Sequence, residues 1–399
     1  MIAHRRSKPT VLSAFTGIGG LDLSLELAGF KTIGCIDCED VVRKTLRANR
    51  PEWVLLDPGD ITKITPHTVM KQLDLKPRQL GILVGGPPCQ PFSKAAQWSR
   101  QGLRGMSDPR SKCIESFMGL VKAFLPQVVL IENVLGFAEG KKSALPVIET
   151  AFNKINKNSA TKYELTYRIL DAAAYGVPQH RWRAIMIASR RGRKFEWPKP
   201  THVEHPVRAW DALIHLLNKG TSLPRLTGKW AGLLPSIPEG KNYQWHTEAG
   251  GGVALFGFRT RFWSFLLKLA KDQPSWTLPA QPGPATGPFH WDNRPLTVKE
   301  RLRLQSFPVN WNVSGNYRQQ AHQIGNATPP LLAEVIGRAI GQQFFDLTYK
   351  GHPNLGIERQ ADIPPPESTC VVPEKYRHLE GVHPAHPGVG KGPHARKAA

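Results

Sequence analysis

The segment VLSAFTGIGGLDLSLELAGF at residues 11–30 decides the fold prediction. Its first five residues are typical of a buried strand, and LDLSLELAGF is typical of a helix. Between them, FTGIGGLD is a glycine-rich turn in which backbone N–H groups can face a ligand at a helix N-terminus. A strand, such a turn and a helix in this order predict the first unit of a nucleotide-binding α/β domain.

Short apolar runs alternate with helical patterns up to about residue 189. Further strands are predicted for KTIGCID at 31–37, WVLLD at 53–57, GILVGG at 81–86, QVVLIENV at 127–134 and RAIMIAS at 183–189. This alternation is typical of a mostly parallel sheet wrapped by helices. We therefore predict a doubly wound, Rossmann-like α/β fold.

The composition changes after residue 190, where proline, glycine and tryptophan accumulate and periodicity weakens. We predict a catalytic and cofactor-binding domain at 1–189, a smaller irregular domain at 190–290, and a C-terminal part at 291–347 that completes the first domain. Residues 348–399 are rich in proline, glycine, histidine and lysine, with little to bury. That composition predicts a disordered tail.

The charge balance favours a polyanionic partner. The chain has 53 Lys and Arg against 31 Asp and Glu, a formal net charge of +22, which favours nucleic acid, although part of the excess lies in the tail. No apolar run is long enough for a membrane span or a signal peptide, so we expect an intracellular, cytoplasmic protein. The CxxC of Cys35 and Cys38 lacks a second pair nearby and the histidines are scattered, so no metal site is predicted.

Two acidic residues follow predicted strands at the edge where ligands bind in open α/β sheets. Asp37 ends the second strand, where a carboxylate can accept hydrogen bonds from ribose hydroxyls, and Asp60 follows the third, where it can meet an adenine amino group. Either residue taken alone is equally well explained as a helix N-cap. Asp22 stands where a dinucleotide-binding fingerprint has glycine, which disfavours a dehydrogenase.

A thiol and a carboxyl group are predicted to share that sheet edge. Cys89 in GGPPCQPFS at 85–93 follows one strand, and Glu132 in IENV ends the next. A thiolate nucleophile beside a carboxyl acid suits covalent attack on a ring carbon that becomes electrophilic when a neighbouring ring nitrogen is protonated. Arg181 and Arg183 can supply positive charge that lowers the thiol pKa. The alternatives are a buried structural cysteine, an N-capping acid and a solvated arginine pair.

Six motifs occur in one order: FTGIGG, PPCQPFS, IENV, QHRWR, TVKERLRLQSFP and QIGNATPP. In this order they resemble the DNA cytosine-5 methyltransferases over about residues 10–345. The resemblance implies methyl transfer from S-adenosylmethionine to carbon 5 of a cytosine flipped out of double-stranded DNA. It makes Cys89 the covalent nucleophile and Glu132 the group that engages the ring nitrogen, while Arg181 and Arg183 hold the base.

The resemblance also assigns binding residues. Cofactor contacts are implied for Phe15, Gly17, Gly19, Gly20, Asp37, Asp60, Pro87 and Asn326. The family usually has glutamate at the position of Asp37. The region 190–290 corresponds to the family's target recognition domain, and the stretch after Cys89 to a mobile lid. DNA contacts are expected from Ser93, Arg104, Arg259, Arg261 and Thr277. The neighbouring aromatic residues Phe258, Phe262 and Trp263 are alternatively the core of that domain.

Three other hypotheses stay open at this stage. One branch of the family methylates transfer RNA, so an RNA cytosine-5 methyltransferase is possible, although the sizeable variable domain favours duplex DNA. A catalytically silent DNA-binding relative is the second, and the dehydrogenase is the third. We expect a monomer without a metal, acting either as an orphan methylase or beside a separate cognate restriction endonuclease.

Overall fold

The structure is a computed structural model that describes residues 7–89, 108–140, 142–217, 223–258, 262–381 and 383. The strands of the described residues are β1 (Thr10–Ala14), β2 (Lys31–Ile36), β3 (Ile82–Gly85), β4 (Val128–Asn133), β5 (Glu164–Asp171) and β6 (Trp182–Ser189). The α-helices are α1 (Gly20–Leu27), α2 (Asp40–Asn49), α3 (Pro66–Leu73), α4 (Lys112–Phe124), α5 (Leu135–Ala138), α6 (Leu145–Ser159), α7 (Ala209–Leu213), α8 (Val298–Leu304), α9 (Tyr317–Asn326) and α10 (Pro330–Phe345). Short 3-10 helices span Pro109–Ser111, Ala172–Tyr175, Ile214–Leu216, Ala231–Ser236, Tyr243–His246 and Glu374–Leu379.

The strands form one sheet in the order β2-β1-β3-β4-β6-β5. Strand β1 pairs in parallel with both β2 and β3, and β3 pairs in parallel with β4. Strand β6 runs antiparallel to both of its neighbours, β4 and β5. This arrangement confirms the doubly wound, mostly parallel α/β fold. The strand order reverses between β1 and β3: β2 is added on one side of β1, and β3 and β4 are added on the other. The point of reversal is the usual ligand-binding position in such sheets.

Hydrophobic side chains cover both faces of the sheet. Alternate residues of β1 show this, because Leu12 packs in the cluster that includes Phe117 of α4, and Val11 packs in the cluster that includes Ile336 of α10. Burial on both sides explains why the strands are continuous apolar runs in the sequence. Helix α10 lies against α1 on one face, so the C-terminal segment belongs to the same body as the first strands.

Two features of the sheet differ from the sequence-based prediction. WVLLD at 53–57 forms only an isolated bridge from Leu55 to Cys35, so the predicted third strand is wrong. Pro51 and Pro58 bracket this segment and limit a ladder at the sheet edge. Strand β5 was not predicted, because it is a half-exposed edge strand whose side chains are only partly apolar.

The region 190–290 has little regular structure. It is built from short helical turns and isolated bridges around two small clusters, one including Trp210 and Leu278 and the other including Leu233 and Tyr243. None of the helices in the described part of the chain combines the length and hydropathy needed to cross a membrane.

The predicted disorder from residue 348 is wrong for the part of the tail that the structure describes, up to 381. Val372 and Tyr376 are buried in the second of those clusters. The Tyr376 hydroxyl donates to the Lys229 carbonyl at 2.8 Å, and its ring stacks on Trp230. The apolar residues of the tail are too sparse to form a core of their own, and they are buried only because the region 190–290 supplies the other half of the cluster. The tail beyond 383 lies outside the described residues.

Candidate active site

The glycine-rich turn after β1 is held in a left-handed backbone conformation. Phe15, Gly17 and Gly19 all have positive φ values, of 57°, 54° and 82°. For Phe15 this conformation is strained, and such strain concentrates at ligand sites. The backbone N–H of Gly17 donates to Asp37 Oδ2 at 2.9 Å, and that of Glu39 donates to Asp37 Oδ1 at 3.0 Å. Asp37 therefore joins the ends of β1 and β2.

The three glycines of the turn have different surroundings. A Cβ on Gly19 would lie 2.9 Å from the ring of Trp53, and one on Gly20 would collide with the carbonyl oxygen of Thr328. Both residues are thus required by packing within the protein. A Cβ on Gly17 would meet no atom of the described residues nearer than the Phe15 carbonyl oxygen at 4.0 Å, so Gly17 borders space where a ligand can approach the backbone.

Asp60 lies on the same edge, and its side chain accepts hydrogen bonds within its own turn. Its Oδ1 accepts hydrogen bonds from the backbone N–H and the hydroxyl of Thr62, at 2.9 and 2.7 Å. These bonds lower the pKa of the Asp60 carboxyl, whereas burial raises the pKa of Asp37 against the two backbone donors. Within the described part of the chain, Asp60 Oδ2 lies 3.5 Å from Lys63 Nζ, and this oxygen can accept a further hydrogen bond.

Asp22 of helix α1 supports the turn from a buried position. It is fully buried, and its Oδ2 accepts a hydrogen bond of 3.0 Å from Ser13 Oγ, which also contacts Thr16 Oγ1. Burial raises the pKa of Asp22 to about 7, partly offset by the Ser13 bond. The sequence indicated only that this residue is not glycine, and no pattern pointed to its buried position.

Cys89 follows β3 and is positioned by β4. Asn133 Nδ2 donates a 2.8 Å hydrogen bond to the carbonyl of Pro87, which fixes the turn that leads to the thiol. Burial raises the pKa of the Cys89 thiol, Glu132 raises it further, and Arg183 and Arg181 oppose both. The expectation of a lowered thiol pKa is therefore wrong in net direction, because desolvation outweighs the two arginines in the protein alone.

Glu132 and Arg183 form an ion pair beside Cys89. Arg183 Nε lies 2.8 Å from Glu132 Oε1, with side chains 13% and 10% exposed. The antiparallel pairing of β4 and β6 brings these residues together, because the end of one strand meets the start of the other. A Cβ on Gly86 would lie 3.2 Å from Glu132 Oε2, so glycine leaves this carboxylate room at the thiol turn.

Arg181 is an internal anchor. It is 1% exposed, and its Nη2 donates to the carbonyls of Gly325 and Ala327 at 2.7 and 3.0 Å. These bonds tie the entry of β6 to the end of α9. Asn326 lies between the two carbonyls in the chain and is exposed, with its amide 3.0 Å from His322 Nε2. It is therefore available at the edge where the resemblance places it.

Thr277 joins the two domains. Its hydroxyl donates to the carbonyl of His180 at 2.7 Å, and the His180 N–H donates to the carbonyl of Ser275 at 2.8 Å. The hydroxyl proton of Thr277 is thus engaged within the protein. The other predicted DNA contacts, Ser93, Arg104, Arg259 and Arg261, lie outside the described residues.

Aromatic side chains form an exposed row where the domains meet. The rings of Trp182 and His180 stack at 5.6 Å, His180 lies 5.5 Å from Trp276, and Trp276 lies 5.3 Å from Trp263. Trp263 is 44% exposed and Phe258 48%, so the alternative that these residues form the domain core is wrong. Trp182 and Trp276 were not singled out from the sequence, because only the fold brings them together.

Comparisons with known proteins match this arrangement. The family model described as C-5 cytosine-specific DNA methylase matches residues 10–251 and 258–342. The chain belongs to this family. It is 33% identical to the type II methyltransferase M.SacI of Streptomyces achromogenes, over 86% of this chain and 95% of the relative. It is 31% identical to M.NgoFVII of Neisseria gonorrhoeae, over 85% and 88%.

The fold is also that of a solved structure. A protein described as a prophage-encoded DNA modification methyltransferase of E. coli gives a TM-score of 0.63 at 21% identity, over 85% of this chain and 100% of that chain. This C-5 cytosine methylase therefore has the fold of its family, with the glycine turn and Cys89 on one sheet edge. Among the described residues, no cluster of three or more potential ligands is suited to a metal ion.

Proposed function

We propose that this chain methylates carbon 5 of cytosine in double-stranded DNA with S-adenosylmethionine as donor and Cys89 as nucleophile. One observation carries the proposal: a thiol turn and a paired carboxylate meet at the carboxyl edge of β3 and β4, beside the glycine turn after β1. Membership of the DNA methylase family supports the donor and the substrate.

The residues at the glycine turn suit the donor. Gly17 borders open space among the described residues. Asp37 accepts from Gly17 with Oδ2 and from Glu39 with Oδ1, each oxygen keeps a further lone pair, and Asp60 Oδ2 offers another acceptor. These groups fit the ribose and the adenine amino group of a nucleoside. When bound, S-adenosylmethionine supplies an electrophilic methyl group. Phe15 and Asn326 complete the proposed set.

The chemistry proposed for Cys89 requires a thiolate. Its sulfur attacks the sixth carbon of the flipped cytosine, and the electron pair moves to the fifth carbon, which takes the methyl group. Glu132 engages the ring nitrogen and the amino group of the base, which makes the ring electrophilic. Loss of the proton from the fifth carbon then expels the thiolate and restores the ring. Flipping the base costs roughly a few kcal/mol.

Arg183 positions the carboxylate that meets the base. Its Nε contact with Glu132 Oε1 fixes one oxygen, so the other is directed toward Gly86 and the thiol turn. Arg181 stabilises the same edge by anchoring the end of α9. Because burial raises the thiol pKa in the protein alone, we propose that binding of the base completes the activation of Cys89.

The relatives named as type II methyltransferases suggest the biological setting. We propose that the protein acts as a monomer in the bacterial cytoplasm on chromosomal DNA, with a cognate restriction endonuclease that acts separately. The region 190–290 together with the ordered part of the tail forms the proposed target recognition domain.

A methyl-transfer assay tests this function. Purified protein is incubated with labelled S-adenosylmethionine and either unmethylated genomic DNA or RNA, beside Cys89→Ser and Glu132→Gln variants. We expect 5-methylcytosine in one short DNA motif, loss of it in Cys89→Ser, and a rate lower by roughly 10²–10⁴-fold in Glu132→Gln. Label in RNA alone, or full activity of Cys89→Ser, contradicts the proposal.

A further inference from the structure

A pocket lies at the seam between the recognition domain and the C-terminal helices. Its volume is about 170 Å³, and it is lined on one side by residues 225–227 and by several residues between 282 and 289, and on the other by Pro295, Leu296, Arg301 and Tyr317 of α9. Two arginines, Arg225 and Arg301, line it, and among the residues that the structure describes no acidic side chain does. The pocket is separate from the thiol edge and none of its residues belongs to the proposed chemistry.

Arg301 in this pocket is a buried cation without a partner in the described part of the chain. Its side chain is 4% exposed, and its Nε and Nη1 atoms are buried without a hydrogen-bond partner. Leaving a guanidinium desolvated and unpaired is strongly unfavourable. A ligand that accepts several hydrogen bonds and carries negative charge would remove this penalty.

The acid next to Arg301 in the chain is already engaged. Both oxygens of Glu300 accept from Arg294, at 2.7 and 2.9 Å, and Oε2 also accepts the N–H of Thr297. Glu300 therefore neutralises Arg294 and is not available to Arg301. The pocket keeps an uncompensated positive charge, to which Arg225 adds at an exposed position.

We propose that this pocket binds a phosphate group, with the Arg301 guanidinium as its principal ligand. Arginine presents a planar set of donors that matches phosphate oxygens. Thr227 and Thr286 line the same pocket, and a threonine hydroxyl can donate a further hydrogen bond to a phosphate oxygen.

The backbone of the substrate DNA is the source that the geometry favours, and this part rests on the proposed function. Helix α9 runs from Tyr317 at the pocket to Asn326 at the cofactor edge, a distance of about 15 Å. At about 3.4 Å per nucleotide step, that separation corresponds to roughly four or five base pairs. A duplex bound along the edge that contains Asn326 can thus place a phosphate in the pocket. Free inorganic phosphate is the other source.

Two variants of Arg301 and one matched control test the proposal. Arg301→Gln and Arg301→Met remove the charge, and Arg191→Gln removes a surface arginine just past the end of β6, on the opposite edge of the sheet. Thermal unfolding is measured with inorganic phosphate and with chloride at matched ionic strength. We expect phosphate to raise the melting temperature of wild type and Arg191→Gln, but of neither Arg301 variant. Without phosphate, Arg301→Met should melt above wild type, because it removes an unpaired buried charge.

Binding of a short target duplex over a salt series distinguishes the two sources. If the phosphate belongs to DNA, Arg301→Gln weakens binding about tenfold and lowers the slope of log affinity against log salt by about 1. An Arg301-dependent phosphate shift with unchanged DNA binding supports the pocket and rules out the DNA backbone as its ligand. Equal phosphate shifts in wild type and Arg301→Gln, with equal salt slopes, overturn the proposal. Absence of methyl transfer by the wild type counts against the proposed function and leaves the phosphate shift intact.

Discussion

The side-chain amide of Asn133, one residue past Glu132, donates a 2.8 Å hydrogen bond to the carbonyl of Pro87, two residues before Cys89. A single bond thus joins the turn that carries the proposed nucleophile to the strand that carries the proposed acid. The distance between the thiol and the carboxylate is set by this bond, together with the parallel pairing of β3 and β4.

Asn133→Leu should therefore slow methyl transfer without weakening cofactor binding. The leucine cannot donate to Pro87, so the thiol turn loses its fixed position, and misplacement by about 1 Å costs roughly 10²-fold in rate. Single-turnover rates with saturating DNA measure the loss, and calorimetric titration of S-adenosylmethionine supplies the control. An unchanged rate would show that β3 alone positions Cys89.

The reactivity of Cys89 should increase through the alkaline range. Burial raises the pKa of its thiol, so less thiolate is present at neutral pH than in a free cysteine. Site-resolved iodoacetamide labelling of the protein without DNA, measured by mass spectrometry over pH, should give a midpoint above that of a short cysteine peptide. Arg183→Gln should move the midpoint higher, since Arg183 lowers the thiol pKa. A midpoint at or below that of the peptide contradicts this expectation.

Compared with wild type, the Asp22→Asn variant should be relatively more stable at pH 8 than at pH 5. The pKa of Asp22 is about 7 in the folded protein against 3.8 for the ordinary carboxyl, so the folded state binds the proton more tightly. Wild-type stability from this group therefore falls as pH rises between those two values. The variant lacks this loss, and its free energy of unfolding relative to wild type should rise by roughly 2–3 kcal/mol from pH 5 to pH 8.

Urea unfolding at both pH values measures this difference. Asparagine can still accept the Ser13 hydrogen bond, so the turn is kept. A pH-independent difference between variant and wild type would mean that Asp22 is ionised in the folded protein throughout this range.

Tyr376→Ala should destabilise the recognition domain although the residue lies in the tail. The change removes a buried ring stacked on Trp230 and the hydrogen bond to Lys229, and a cost of roughly 3–5 kcal/mol is typical of a large aromatic residue replaced by alanine. Val371→Ala is the matched control, because Val371 is 84% exposed. Thermal unfolding compares them, and equal melting temperatures would show that the tail contributes nothing to folding.

The order of elements could be predicted from sequence wherever both faces of a strand are buried. The strands that contain Leu12, Leu83 and Val129 are mostly apolar runs that predict buried strands. The predicted ends of these strands place the glycine turn and Cys89 at the same edge of the sheet. The segment around Leu55 has the same composition but lies at the edge of the sheet, where it makes a single bridge. Apolar content therefore predicts burial more reliably than ladder pairing.

By itself, the sequence determined the α/β fold, the family motifs and the candidacy of Cys89 and Glu132, because each strand and each motif depends on residues close together in the chain. Only the tertiary structure decided the net rise of the Cys89 pKa, the packing of Tyr376 and the unpaired charge of Arg301. Each of these depends on desolvation by segments far apart in sequence. Burial is a property of the folded chain as a whole, so local patterns cannot determine which charges lose their water.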